Sequence, residues 1–305
     1  MDSPSFDMLT EQINEATSQI DRLPTVDVLR LINAEDQKVA PAVAQEIPAI
    51  ARAVDGIVKR MKQGGRLIYC GAGTSGRLGV LDASECPPTY GVSPDQVVGV
   101  IAGGFKALVK ATEGAEDDRE LARQDMAQIA LTDQDTLIGV AASGRTPYVL
   151  SAMDEAREKG CLVIAFSCNP GSPMAVAADI AITPAVGPEA ISGSTRMKAG
   201  TATKLVLNMV STAVMIKLGK VYGNLMIDVK ATNEKLRIRA REIVVKASGV
   251  SVEAADNMLH KTGYDVRLSV FALLSGYDPD QAKEKLEAAG NLIHQALSEI
   301  NQASK

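Results

Sequence analysis

Five short apolar runs recur through the middle of this chain, and four of them break off into loops of glycine, serine or both. Arg66–Cys70 ends in GAGTSGR, Gln96–Ala102 in Gly103-Gly104, Asp135–Ala142 in SGRTP and Cys161–Ser167 in CNPGSP; Asp179–Thr183 is a weaker fifth run. Helical stretches fall between most of them, at Arg77–Ser84, Asp117–Ile129 and Pro147–Lys159. Strands that alternate with helices build a doubly wound parallel sheet. Ligands bind such a sheet outside the carboxyl ends of its strands, and there these loops must lie.

The flanks read differently. Residues 1–56 form a helical segment, with apolar residues spaced by three and four from Val28 to Ile32 and from Val39 to Val58, and with Pro41 and Pro48 dividing the helices. The sheet domain spans 57–220. Its last part, ISGSTRMKAGTATK (191–204), opens a long helix through Leu218 that is apolar on most faces, which points to burial between layers or at a subunit interface. Residues 221–305 form a small helical subdomain, with amphipathic stretches at Val252–Lys261, Val266–Leu274 and Pro279–Ala288.

Composition removes several function classes. There is no tryptophan and aromatics are 3% of the chain, too few for base-stacking platforms. A net charge of −5 gives no bulk attraction to nucleic acid or to an anionic membrane. The longest apolar candidate for a membrane helix, Leu205 to Leu218, is interrupted by Asn208, Ser211, Thr212 and Lys217 and falls short of the roughly 20 residues required. Cys70, Cys86, Cys161 and Cys168 show neither CxxC nor zinc spacing, so no metal site is expected. With no signal peptide, reduced thiols in the cytoplasm are the expectation. His260 and His294 are the only histidines, so acid–base chemistry in the first 250 residues falls to carboxylates, Lys, Tyr or Cys.

GAGTSG within the first loop matches the dinucleotide fingerprint. That reading requires an acid at the end of the second strand, about 20 residues on, to hold the ribose hydroxyls. Here the second strand ends in Ile101-Ala102-Gly103-Gly104-Phe105, without an acid, so NAD is not expected. GxxxxGK[ST] is absent, which removes an NTP-binding P-loop. The alternative is an anion cradle built from helix N-termini and hydroxyl donors. Three loops supply the parts: Thr74-Ser75, Ser143-Gly144-Arg145-Thr146 and Ser192-Gly193-Ser194-Thr195. Each serine or threonine is equally suited to be a plain helix cap. Three such loops at one sheet edge favour a sugar phosphate or a similar anion.

The segments GAGTSGR, DASECPPTYG (82–91), EGAEDDRE (113–120), AASGRTPY (141–148), SCNPGSP (167–173), SGSTRMKAGTATKLVLNM (192–209) and GKVYGNLMIDVKATNEKL (219–236) together resemble the N-acetylmuramic acid 6-phosphate etherases of the SIS (sugar isomerase) superfamily. The likeness runs from about residue 10 to the end. It implies a flavodoxin-like αβα SIS domain, a homodimer and no cofactor or metal. It also implies an activity: cleavage of the D-lactyl ether of N-acetylmuramic acid 6-phosphate by elimination and hydration, giving N-acetylglucosamine 6-phosphate and D-lactate in cell-wall amino-sugar recycling or catabolism.

That chemistry needs a base for the C2 proton and an acid for the ether oxygen, and two carboxyls in different surroundings suit both tasks. The resemblance assigns Glu85 as the acid that later activates water, and Glu116 as the C2 base. Read from pattern alone, Glu85 is an ordinary surface acid at the end of a short helix. Glu116, by the same reading, is one of a group of helix N-terminal acids with Glu113, Asp117 and Asp118. Superfamily logic adds Ser75, Ser143, Arg145, Thr146, Ser192, Ser194 and Thr195 as substrate contacts. Lys198 or Lys204 would supply charge or lie on a solvated helix face. Cys86 reads as a small buried hydrophobe. The family often carries an acid where this chain has Phe105, which bears on sugar affinity and not on the two glutamates.

Two other functions share the fold. A non-catalytic sugar-phosphate regulator, like the glucokinase regulatory protein, would be longer and carry two SIS modules. A SIS-type sugar-phosphate isomerase shares proton removal at C2, but many of these use a histidine, and both histidines here lie far along the chain.

Overall fold

The computed structural model describes residues 8–110, 112–229, 231 and 233–303. Residues 1–7 lie outside that set, as do Lys230 and Thr232 of the segment 219–236.

The five apolar runs become β1 (Leu67–Gly71), β2 (Val97–Ile101), β3 (Thr136–Val140), β4 (Leu162–Phe166) and β5 (Ile180–Ile182). They pair in parallel in the order β2-β1-β3-β4-β5, which is the flavodoxin-like order. Tyr69 at the centre of β1 stands beside Gly99 on one side and Ile138 on the other. Strand side chains alternate between faces. Ile68, Cys70, Leu137, Val163 and Ala165 share one apolar cluster with Tyr148, Val149, Ala152, Met153, Ala122 and Met126. Those partners lie on α7 (Pro147–Glu158) and α6 (Arg119–Gln128). Gly139 faces this side too, and a Cβ there would come 2.8 Å from Val149.

The N-terminal helices are α1 (Thr25–Asp36), α2 (Val39–Gln45) and α3 (Ile47–Met61), and α3 packs on β4 and β5. Pro48 sits in the first turn of α3, where its missing N–H costs nothing. Residues 8–24 are not α-helical; they make three 3₁₀ turns, Leu9–Glu11, Glu15–Thr17 and Ile20–Arg22, from which Thr10, Asn14 and Thr17 reach other loops. The remaining helices around the sheet are α4 (Gly73–Tyr90), α5 (Lys106–Val109), α8 (Pro173–Ala177) and α9 (Lys198–Lys217).

α4 and α9 meet through a buried carboxylate. Asp82 accepts from Tyr69 Oη at 2.9 Å, from Asn208 Nδ2 at 2.6 Å and from Ser211 Oγ at 3.2 Å. Asn208 and Ser211 are two of the residues that interrupt the apolar run of α9. With 20 residues, α9 is the one helix among the described residues long and apolar enough to cross a membrane by length and composition, longer than the sequence suggests. Its polar residues Lys198, Thr203, Asn208 and Ser211 are satisfied within the protein, as in a core helix, while Thr201, Lys204, Thr212 and Lys217 are exposed.

The chain divides into two compact units. The first holds residues up to Ser84 together with Pro94–Thr212; the second holds Glu85–Ser93 and Ala213 onward. In the second, a short hairpin of β6 (Val221–Tyr222) and β7 (Leu225–Met226) precedes α10 (Glu234–Ser248), α11 (Val252–Lys261), α12 (Val266–Ser275), α13 (Pro279–Ala288) and α14 (Ile293–Ala303). Its own core gathers Ile243, Val244, Leu259, Val270, Phe271, Leu286 and Ile293.

α4 runs past the expected end at Ser84, through Pro87 and Pro88, to Tyr90. Two prolines deprive Ala83 and Ser84 of their helical donors. The last turn survives because Cys86 and Tyr90, four apart on one face, are both buried. Gly91, at φ +65°, then ends the helix by donating its N–H to Pro87 O.

Candidate functional site

The strand order reverses between β1 and β3, so a crevice opens beyond their carboxyl ends. The loop after β1 enters α4 with very little space. A Cβ on Gly71 would stand 2.8 Å from Gly76 N and 2.9 Å from Val140 O, and one on Gly76 would stand 2.6 Å from Gly71 O. Glycines at 71 and 76 therefore serve the close approach of helix to strand. The N–H groups of Gly73, Thr74 and Ser75 open α4 and have no partner within the helix. Thr74 and Ser75 line a cavity of about 180 Å³ at this point.

The loop after β3 supplies the opposite wall. Ser143 and Thr146 line the same cavity, with Ala141 and Ala142. Gly144, at φ +70°, packs so closely that a Cβ would meet Ser172 Oγ at 2.2 Å. Asn169, in the loop after β4, braces the turn by donating Nδ2 to Ala142 O at 3.0 Å. α7 offers an anion little backbone: Pro147 has no N–H, and Tyr148 N donates to Glu116 O at 3.0 Å.

The third loop departs from its expected role as a helix-dipole cradle. Glu189, fully buried, accepts from Lys198 N at 2.8 Å and Ala199 N at 2.9 Å, so a carboxylate of the protein already occupies the start of α9. Burial raises the Glu189 carboxyl above its ordinary range, and these two N–H groups offset part of that. Thr195 and Gly193 still line the cavity. A Cβ on Gly200 would lie 3.8 Å from Thr74 Cγ2, which fixes how near the first loop comes to α9. Lys198 is neither a cavity cation nor solvated. Only 1% exposed, it donates to Glu35 Oε2 at 2.6 Å. Burial works to raise the Glu35 carboxyl, and the ammonium groups of Lys198 and Lys38 outweigh it, holding Glu35 below the usual range. Lys204 is exposed.

Of the anticipated site residues, the cavity brings together Ser75, Glu116, Ser143, Thr146 and Thr195. Glu116 also lines an adjoining cavity of about 340 Å³ with Arg77, Thr112 and Glu113. Ala72, Gly73 and Glu116 are common to both, whereas Glu113 reaches only the second. Arg145, Ser192 and Ser194 line neither cavity; Arg145 is exposed, and Ser192 Oγ donates to Gln12 O at 3.5 Å. Phe105 is 82% exposed at the head of α5 and lines neither. Glu85 is exposed on α4 and belongs to the second compact unit.

One lining residue has no counterpart in the sequence reading. Glu11 borders the cavity from the 3₁₀ segment that precedes α1. Nothing in its local pattern marks it, because the segment has no glycine loop and no strand before it.

No cysteine lines either cavity. Burial pushes Cys161 up to about 11 and Cys168 up to about 12, and raises Cys70 further. Cys86, beside Glu85, is buried as a small apolar residue. Among the described residues, no group of three His, Cys, Asp or Glu side chains is placed to hold a metal ion.

Comparison with known proteins matches this architecture. Residues 49–157 fit the family described as the glucokinase regulatory protein N-terminal SIS domain, residues 106–213 the SIS domain, and residues 223–291 the C-terminal lid domain of glucokinase regulatory protein. A crystal structure from Bacteroides fragilis, described as a phosphosugar isomerase, superposes with a TM-score of 0.50 at 20% identity, covering 65% of this chain and 94% of that one. It supports the fold of the sheet domain. An N-acetylmuramic acid 6-phosphate etherase of Clostridium beijerinckii is 55% identical over 294 residues, 96% of this chain and 97% of its own. Its Vibrio cholerae counterpart, N-acetylmuramic acid 6-phosphate etherase 1, is 55% identical over 292 residues, with the same coverage. At that identity over nearly the whole length, with the SIS sheet and its serine-lined crevice in place, the chain belongs to the N-acetylmuramic acid 6-phosphate etherase family.

Proposed function

We propose that this protein is a carbon–oxygen lyase that cleaves the lactyl ether of N-acetylmuramic acid 6-phosphate, releasing N-acetylglucosamine 6-phosphate and D-lactate. The observation that carries the reading is the 55% identity to named etherases across 96% of the chain. The cavity agrees with it chemically. The free N–H groups that open α4, with the hydroxyls of Ser75, Ser143, Thr146 and Thr195, are donors suited to a phosphate.

Glu116 is the C2 base in this reading. Opening the sugar ring exposes an aldehyde, which makes the C2 proton removable. Glu116 takes that proton while Glu85 protonates the C3 ether oxygen, and lactate leaves with the bonding pair. Water then adds at C3 with Glu85 as base, and Glu116 returns a proton to C2. Of the two acids in its loop, Glu116 is favoured over Glu113 because it borders the serine-lined cavity. Arg145, Ser192 and Ser194 remain substrate contacts of this proposal through their loops. A cytoplasmic homodimer serving wall-sugar recycling or catabolism completes it.

The test is direct. The protein incubated with N-acetylmuramic acid 6-phosphate releases D-lactate and N-acetylglucosamine 6-phosphate in equal amounts, with deuterium at C2 when the solvent is deuterated water. Deuterium exchange without lactate would make it an isomerase. Neither exchange nor lactate from folded protein would overturn the reading.

A further inference from the structure

We propose that Glu11 is a substrate-positioning residue of the site: a carboxylate that accepts hydrogen bonds from the sugar's hydroxyl or amide donors while the phosphate is held elsewhere. The inference rests on the sugar-phosphate reading of the 180 Å³ cavity. Glu11 and Glu116 are the two charged residues in that cavity's described lining, and both are acids. If Glu116 moves the proton, Glu11 is a second negative charge bordering a site for an anion. Within the protein its Oε1 accepts from Thr10 Oγ1 at 3.5 Å, and a sugar adds several hydroxyl and amide donors, whereas free phosphate brings mainly negative charge that the carboxylate repels.

The placement of Glu11 is held by a buried framework. Thr10, fully buried beside it, accepts from Asn169 Nδ2 at 3.0 Å, and Thr10 N donates to Asn169 Oδ1 at 3.4 Å. The same Asn169 amide donates to Ala142 O in the cavity wall. Asn14 Nδ2 donates to Pro188 O at 3.4 Å, and Thr17 Oγ1 donates to Ala190 O at 2.8 Å. The 3₁₀ segment is thereby fastened to the loops after β3 and β4 and to the approach to α9. Within it, Glu11 Oε2 lies 3.9 Å from where a Cβ on Gly193 would stand, so a side chain at 193 would crowd the carboxylate.

The role predicts opposite responses to two ligands. Glu11→Gln and Glu11→Ala are titrated calorimetrically with N-acetylglucosamine 6-phosphate and with inorganic phosphate. Glu11→Ala removes the acceptor that bonds a sugar donor and weakens sugar-phosphate binding by about ten- to a hundredfold, whereas Glu11→Gln keeps one neutral carbonyl acceptor and weakens it less. Removing a negative charge leaves phosphate binding unchanged or tighter. Glu11→Asp recovers part of the sugar-phosphate affinity. In turnover, KM for N-acetylmuramic acid 6-phosphate rises by a similar factor and C2 exchange persists.

Equal weakening of both ligands would mean that Glu11 only supports the fold. No change in either would mean that it does not touch the ligand. Loss of C2 exchange at unchanged KM would make Glu11 the base. Each of these overturns the proposal. The binding measurements do not depend on lactate release, so failure of the etherase reading and failure of the Glu11 assignment are separable. Glu11→Gln keeps the shape of the side chain and leaves Thr10, Asn14 and Asn169 in place, which protects the fold.

Discussion

Glu116 and Glu113 stand three residues apart in one acidic turn, and both are exposed. What separates them is the wall each one borders. Glu116→Gln is expected to lower kcat by about a hundredfold or more, with loss of C2 exchange, as removal of a general base does. Glu113→Gln should stay within a few-fold of the parent. Lactate release and solvent-deuterium exchange on the two variants decide the assignment. A second single-residue prediction concerns Lys198, whose ammonium is buried with Glu35 as its partner. Glu35→Gln leaves that charge uncompensated. Loss of one member of a buried pair costs about 3–5 kcal/mol, here tempered because Lys38 is freed at the same time. Urea denaturation at neutral pH measures it; a loss below about 1 kcal/mol would mean that water reaches Lys198.

At the scale of elements, the glycine loop shows why a local motif misleads and where it informs. Gly71 and Gly76 are required by the contact of α4 with β1, whatever ligand sits above them. Gly76→Ala drives a Cβ against Gly71 O and Ile101 Cγ1, so it should destabilise by about 1–3 kcal/mol and weaken phosphate binding as the first turn of α4 moves. Thermal denaturation and phosphate calorimetry check both; wild-type values in both would mean that the turn yields freely. The five strands were legible because buried strands have one-sided boundaries: an apolar run, then a turn residue. The end of α4 was not, because two prolines outweigh everything local, and only the burial of Cys86 and Tyr90 shows why the helix continues. The dual role of the third loop was hidden for a similar reason. Its Ser-Gly-Ser-Thr pattern suits an anion, yet Glu189, several residues upstream, caps the helix instead. Glu11 was invisible because only tertiary structure brings residue 11 to residues 75, 116, 143 and 195.

For the molecule as a whole, two buried carboxylates of the first unit gain from being charged, and they shape its response to acid. Asp135, 1% exposed, takes Arg66 Nη2 at 2.6 Å and the backbone N–H groups of Thr132 and Arg66, which joins the start of β1 to the start of β3. Burial works to raise the Asp135 carboxyl, but the Arg66 guanidinium and these N–H groups hold it below the usual range. Glu35 is held low by Lys198 and Lys38 against the same penalty. A carboxyl depressed in the folded state contributes stability that is complete above its unfolded value, about 3.9 for Asp and 4.3 for Glu, and is lost as pH falls through the lower folded value. Asp135 and Glu35 should therefore make the first unit lose stability progressively below about pH 4, whereas the Glu189 carboxyl, raised by burial, works the other way and gains as pH falls through its folded value, so no loss is expected between about pH 7 and pH 5. Urea midpoints at pH 7, 5 and 3, followed by hydrogen exchange in peptides from β1 and β3, give the measurement. Asp135→Asn should be less stable than the parent at pH 7 and show a shallower decline toward pH 3, because the group that titrates has been removed. A parent protein whose stability falls already between pH 7 and pH 5 would place the controlling charge on some group other than Asp135 and Glu35.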